Sequence, residues 1–298
     1  LIRYNWRIAA CCQRHDVDGL WGRNIKGVLL IGIAAQYLRV PLIWDIGYEK
    51  SRKGLMQVLH WLGFFLTARV VTQSKRQFPE TFGSWVEHAF GHKVESIYPG
   101  IDTDRQASLQ ATADDKVGEC RTVLTIGNIH PRKNQEMTIR SLAPILHSIP
   151  DLRLDLAGAV RDEDYYARLR ILVKDKDIEE SVRFLGWRDD IPALLGRSDL
   201  LVLSSLREGI PHVVREAMFA QIPVVATRVG GVPESVRHGE TGYLVDVNDR
   251  SSFREHVEEL LRNSEKRRKM GRNALQFAQE RFSHSAWIEA YSNVLEAA

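Results

Sequence analysis

The sequence predicts an α/β protein made of two doubly wound, Rossmann-like units, and two patterns carry that prediction. In residues 121–245, short apolar runs (TVLTIG, LRLDLAG, VRFLGW, LLVLSS, PVVAT and GYLV) alternate with polar or amphipathic segments. Strands alternating with helical patterns imply a parallel sheet, because each crossover must carry the chain back over one face of it. The same alternation occurs earlier, where VPLIWDI, ARVVTQS and KVESIYP are separated by residues 54–66 and 75–82.

In chain order, the opening IRYNWRIAACC has helical spacing and reads as the middle of a helix, so the chain reads as a fragment. Residues 99–116, rich in Asp, Gly, Ala and Thr without an apolar period, read as a linker, with a boundary near Asp114. From residue 249 onward the pattern is helical throughout. Phe253, Val257, Leu260, Leu261, Phe277, Phe282, Trp287 and Tyr291 fall at apolar positions that suit a core better than a cofactor contact. The expected division is residues 1–113, residues 114–275, and a final helical segment of residues 276–298.

Composition narrows the function. A chain of 298 residues that is 44% hydrophobic and 27% charged buries a sizeable core and is long enough for two domains. A formal charge of +3, with KRRK at residues 266–269 reading as a solvated helix face, gives no reason to expect a nucleic-acid partner. Three cysteines, Cys11 and Cys12 adjacent, make neither a disulfide framework nor a metal pattern, which favours a reducing, cytoplasmic compartment. The ten histidines lack metal spacing, so no metal site is expected. The apolar run at residues 55–66, interrupted by Gln57 and His60, is shorter than the roughly 20 residues a bilayer span requires.

The chemistry concentrates in SSLREGIPHVVREAMFAQIPVVATRVGGVPE, residues 204–234. Glu208 falls in the loop after a buried strand and Glu216 in the first turns of the following helix. In open α/β sheets, ligands bind beyond the carboxyl ends of the strands, where loop amides and a helix N-terminus meet an anion. Two carboxylates beside such a place can accept neighbouring hydroxyls of a sugar and a ribose on either side of a diphosphate. Taken alone, such a pair reads rather as two surface acids, Glu216 favouring the helix dipole, and it is the surrounding loops that argue for a site. A second strand-end loop, GNIHPRKNQ, brings Arg132 and Lys133 to the same sheet edge, where a lysine can neutralise a diphosphate leaving group. A third, TRVGGVPE, offers Gly230 and Gly231, whose missing side chains let backbone amides approach a ligand, although a glycine pair alone usually marks a turn. Neither a G-x-G-x-x-G after a strand nor a P-loop is present, which argues against dehydrogenase and kinase readings.

E-x7-E within S-x-x-x-E-G-x-P, followed by PVVATRVGGVPE and GxTGYLV, resembles the family 4 retaining glycosyltransferases (glycosyl transferases group 1) of GT-B architecture. The resemblance covers the C-terminal domain and, more loosely, the residues before it. It implies two Rossmann-like domains facing a cleft, the N-terminal one incomplete, without the first strand, glycine-rich loop and helix that face the donor phosphates. Carried over by position, it makes Glu208 the acid that contacts the donor hexose, Glu216 the acid that holds the ribose, and Lys133 the diphosphate-binding lysine. Gly209, Ile210, Pro211, His212, Val213 and Val214 would cradle sugar and phosphates. Gly186, Trp187 and Arg188 would border the base. The tail RFSHSAWIEAY resembles the family's last helix, which crosses back onto the N-terminal domain.

Two departures stand out. Asn128 follows Gly127 where the family usually carries an arginine, leaving Arg132 as the substitute cation; and LIWDIGYE replaces a segment that often supplies a histidine, with Asp45 or Glu49 available and Asp45 reading as a turn residue. The implied reaction is hexosyl transfer from a nucleotide-diphosphate sugar, with retention, to a saccharide or lipid-linked acceptor, without a further cofactor. The alternatives are a nucleotide-sugar-binding remnant or interaction module without transfer activity, and a sugar phosphorylase or nucleotide-sugar epimerase. In YEKSRKGLMQVLHWLGFFL, Lys50, Arg52 and Lys53 precede an apolar stretch that suits peripheral contact with the inner face of a membrane, although a buried helix with a basic start is the plainer reading.

Overall fold

The computed structural model describes residues 2–46, 54–112 and 121–298. Contacts divide the chain into two compact units, residues 1–99 with 285–298, and residues 100–284.

The smaller unit is built on four parallel strands, β1 (Leu20–Arg23), β2 (Leu42–Ile46), β3 (Arg69–Thr72) and β4 (Val94–Ser96), in that spatial order. Strands β2 to β4 fall within the runs expected of them. Strand β1 is a short edge strand with too few apolar residues to show a period. The helix after it, Asn24–Leu38, is apolar nearly all round and so shows no 3.6-residue stripe. Asn24 starts it by accepting from the amides of Lys26 and Gly27 at 3.0 and 3.2 Å. Trp44, fully buried on β2, anchors one face of the sheet, its ring 4.9 Å from that of Phe64 in helix Leu55–Leu66. The other face is covered by the last helix, His284–Glu296, whose Val294, Trp287 and Tyr291 pack on Ile43, Val71 and Ile97.

Asp45 is not a turn residue. It is the fourth residue of β2, paired in register with Arg23, and burial pushes its carboxyl up against the opposing pull of that arginine. Glu49, Lys50, Arg52, Lys53 and the boundary expected near Asp114 lie outside the described residues.

The larger unit has six parallel strands: β5 (Thr122–Ile126), β6 (Arg153–Ala157), β7 (Val182–Gly186), β8 (Leu200–Leu203), β9 (Val224–Thr227) and β10 (Gly242–Val245). Their order is β10-β9-β8-β5-β6-β7. Strands β8 and β9 are buried at every residue, which is why they read as continuous apolar runs rather than alternating ones. One core joins residues of the sheet to helices Gln135–Ser148, Glu163–Asp175 and Arg250–Arg262, centred on Ile139, Leu142 and Phe253.

The unit boundaries fall at residues 99/100 and 284/285 rather than 113/114 and 275/276. The expected linker contains a helix, Thr103–Ala111, started by Asp102, whose side chain accepts from the amide of Arg105 at 2.9 Å. An N-cap aspartate supplies what an unpatterned sequence lacks, and this helix packs on helix His212–Phe219 of the larger unit. At the other end, helix Ser264–Phe282 stays with the larger unit because Met270, Ala274, Phe277 and Phe282 are buried in it.

From β5 the chain winds outward through β6 and β7, then returns to place β8 on the other side of β5. The loops leaving β5 and β8 therefore diverge from neighbouring strands at a topological switch point. This is the position at which open parallel sheets accept ligands.

Candidate functional site

The two loops at the switch point are fastened together before any side-chain chemistry is considered. The amide of Leu206, after β8, donates to the carbonyl of Arg132, after β5, at 2.8 Å. The Ser204 hydroxyl lies 3.1 and 2.8 Å from the carbonyls of Lys133 and Asn134 and accepts from Thr138 at 2.8 Å. Ser204 and Ser205 are buried, so these bonds are made away from water, where leaving them unmade is costly.

On this base Lys133, the last residue of the short 3-10 turn Pro131–Lys133, reaches Glu208, its Nζ 2.6 Å from Oε1. Ser205 Oγ donates to the same oxygen at 2.6 Å. Both side chains are mostly buried, at 19% and 11% exposure. Glu208 Oε2 has no partner among the described residues, so the carboxylate is fixed by one oxygen and offers the other.

The loop after β9 buttresses this arrangement. Gly230 has φ +48°, and a Cβ there would lie 1.8 Å from the carbonyl oxygen of Glu208; a Cβ on Gly231 would meet the carbonyl of Gly209 at 2.7 Å. The missing side chains of this pair therefore admit the backbone of the Glu208 loop.

Helix His212–Phe219 begins at the same edge, with Pro211 preceding it. Its first intrahelical amide donor is Arg215, to Pro211, so the amides of His212, Val213 and Val214 have no partner within the helix. Such amides suit an anion. Gly209 and Ile210, half-buried, lead into this turn, and Val213 and Val214 are buried beneath it.

Glu216, on that helix, is buried, with its side chain 7% exposed. Arg105 donates to its Oε1 from Nε at 2.8 Å and Nη2 at 2.6 Å, and His212 Nδ1 lies 3.4 Å from Oε2. Burial alone would raise this carboxyl; His212 and Arg105 together outweigh it and hold it below the usual carboxylate range. Beside it, burial lowers the Arg215 guanidinium to about 10, and its Nη1 donates to the carbonyl of Gly100 at 3.3 Å. Arg105 was missed because its stretch reads as linker; Asp102 three residues before it was the signal available.

The remaining expected residues line the same strand ends. Gly127 closes β5, and its amide donates to Ala157 at 2.8 Å, while Gly158 donates to Gly186 at 2.7 Å, so the ends of β5, β6 and β7 run in a connected row. The Asn128 carbonyl accepts from Gln135 at 2.9 Å. Arg132 is exposed and has no ion pair among the described residues, whereas Arg188 is engaged with Asp190 through two bonds of 2.7 and 2.5 Å. Trp187 is 70% exposed. Loop 186–188 thus stands two strands away from β5, in the row but outside the Lys133–Glu208 contact. No cluster of three or more metal-ligating side chains occurs among the described residues.

A family model for glycosyl transferases group 1 matches residues 111–277. Among curated proteins, the N-acetyl-alpha-D-glucosaminyl L-malate synthase of Bacillus anthracis is 31% identical over 205 residues, 67% of this chain and 53% of that protein. The GDP-mannose-dependent alpha-(1-6)-phosphatidylinositol monomannoside mannosyltransferase of Mycolicibacterium smegmatis is 31% identical over 290 residues, 89% of this chain and 72% of that protein. The chain spans about half the length of several curated relatives it matches, 53%, 42% and 57% in three of them. Among solved structures, HepE of Anabaena in complex with UDP has a TM-score of 0.78 at 22% identity, covering 98% of this chain and 81% of that one. A glycosyltransferase of Rickettsia africae has a TM-score of 0.80 at 16% identity, covering 99% and 82%. At these identities the likeness establishes the fold, GT-B.

Two outcomes follow from the geometry. Gly230→Ala is expected to cost about 1–2 kcal/mol from the left-handed backbone alone, and more from the clash with Glu208; a urea midpoint equal to the native one would refute the buttress. Glu216, held below its ordinary value of 4.5 in the folded chain, contributes stability that is present above that value and lost as pH falls through the lower folded one. The urea midpoint of the native chain should accordingly fall more steeply on acidification than that of Glu216→Gln, and parallel curves would contradict the pairing.

Proposed function

Because this chain belongs to the glycosyl transferases group 1 family, we propose that it is a retaining glycosyltransferase that moves a hexose from a nucleotide-diphosphate sugar to a hydroxyl of a saccharide or lipid-linked acceptor. The observation that carries the reading is the 2.6 Å contact of Lys133 with Glu208 at the switch point, in the loop that leads to helix N-terminal amides without a partner within their helix. A cation and free amides suit a diphosphate; an acid with one oxygen unengaged suits a sugar hydroxyl; a second buried acid, Glu216, suits the ribose. Structures of similar fold have been determined with UDP and with UDP-glucose, which agrees with a nucleotide sugar as donor.

In the reaction, the bond from the anomeric carbon to the diphosphate oxygen breaks and a bond from that carbon to the acceptor oxygen forms on the same face. The acceptor's proton passes to the departing diphosphate. Lys133 and the amides of residues 212–214 stabilise the charge that develops on the leaving group, Arg132 serves as the further cation where Asn128 stands, and Glu208 orients the hexose. The base lies along Gly186, Trp187 and Arg188. The reading places the protein in cell-surface polysaccharide or glycoconjugate synthesis on the cytoplasmic side of the membrane.

Contact with that membrane is the second part of the proposal. On helix Leu55–Leu66, Val58, Leu62 and Phe65 are exposed at 63%, 47% and 67%, spaced as one stripe. No helix among the described residues is long and apolar enough to cross a membrane, so the stripe would lie in the interface.

Calorimetric titration with uridine and guanosine nucleotide sugars tests the site. Lys133→Ala should weaken both the nucleotide sugar and the bare nucleoside diphosphate about 10- to 100-fold, the weight of a charge-assisted hydrogen bond, and Glu208→Ala only the nucleotide sugar. Native affinity in both variants would discard the assignment. Binding without release of nucleoside diphosphate to any acceptor would favour a donor-binding module instead. For the membrane, co-sedimentation with anionic vesicles should be lost in Phe65→Asp, and a native chain that stays in the supernatant rules the contact out.

A further inference from the structure

Glu216 is held in an unusual way for an acid meant to receive a ligand. Both donors of Arg105 fall on the same oxygen, Oε1, at 2.8 and 2.6 Å, rather than spreading across the carboxylate. Among the described residues Oε2 has His212 Nδ1 alone, at 3.4 Å, on a side chain 61% exposed. An ionised carboxylate has about four lone-pair sites, two on each oxygen. The two guanidinium bonds take those of Oε1, so incoming hydroxyls are left with Oε2.

Arg105 is itself fixed. It sits three residues into the segment capped by Asp102, which bonds its amide at 2.9 Å. The neighbour of Glu216 on the helix, Arg215, reaches the carbonyl of Gly100 at 3.3 Å. Residues 100–105 and the helix bearing the acid are thereby joined at two adjacent positions. Charge balance alone would be served by an arginine bridging both oxygens; the observed placement also sets the direction of Oε2.

We propose that Arg105 is a positioning residue for ribose recognition: by holding Oε1 of Glu216 it presents Oε2 to the ribose hydroxyls of a nucleotide ligand. The inference rests on the donor-site reading above and adds to it a residue outside the glutamate pair and its loops. The proposed role of Arg105 runs through Glu216 rather than through a bond of its own to the nucleotide. Its removal therefore changes the selectivity for ribose hydroxyls and leaves recognition of the diphosphate untouched.

The test compares UDP and GDP with their 2′,3′-dideoxy analogues by calorimetry on the full chain. The native protein should prefer the ribonucleotide by about 10- to 100-fold, as expected when one or two hydrogen bonds to a charged group are at stake. Arg105→Met should reduce that preference to within about threefold while binding the dideoxy analogue as the native chain does, and Arg105→Lys should recover part of it. Should Arg105→Met fail to fold, Arg105→Lys carries the comparison, with a preference between that of the native chain and none. A native preference retained in the arginine variants but lost in Glu216→Gln would overturn this inference and leave the donor-site reading standing. Equal weakening of both nucleotides would assign Arg105 a structural role only, and overturn it as well. A native chain without any ribose preference would overturn both.

Discussion

The order of the six-stranded sheet is the constraint on which the site depends. Because β8 returns to the opposite side of β5 from β6, the loops leaving β5 and β8 meet at one edge, and residues 75 positions apart in sequence, Lys133 and Glu208, come to 2.6 Å. The contact is not left to two flexible side chains. Ser204, Thr138 and the Leu206 amide tie the loops through their backbones, and Gly230 and Gly231 allow the β9 loop to press on the carbonyls of Glu208 and Gly209. A site held in this way loses little conformational freedom when a ligand arrives, which is how binding energy is conserved for recognition.

The two acids follow a common rule despite their different surroundings. Glu208 gives one oxygen to Lys133 and Ser205; Glu216 gives one to Arg105. A buried carboxylate without a cation would protonate or destabilise the fold, whereas one saturated on both oxygens would have nothing to offer a hydroxyl. Placing the cation on a single oxygen meets both demands, and at Glu216 the second oxygen has His212 Nδ1 at the longer distance of 3.4 Å.

Much of this was legible in the chain itself. The glutamates, Lys133 and the three strand-end loops were assigned to one sheet edge from the strand and helix periods, because buried parallel strands such as LLVLSS and PVVAT read as apolar runs ended by small residues. What escaped detection lacked a period. The edge strand β1 is four residues long, helix Asn24–Leu38 is apolar on nearly every side, and helix Thr103–Ala111 has one buried apolar side chain, Leu109, and so resembles a linker. Asp45, expected in a turn, lies inside β2, where its place is set by pairing with the neighbouring strands.

Sequence alone determined the α/β class, the parallel character of both sheets and the grouping of Glu208, Glu216 and Lys133 at one sheet edge, since these depend on local period and on residue chemistry. Only the tertiary structure decided which oxygen of each carboxylate takes the cation: Oε1 of Glu208 from Lys133 and Oε1 of Glu216 from Arg105. It also decided that the glycine pair accommodates a neighbouring loop, and that Arg105, from a stretch without pattern, is the partner of Glu216. Such pairings join residues as far as 111 positions apart, and no local period encodes a contact that exists only once two loops or helices have been packed against each other.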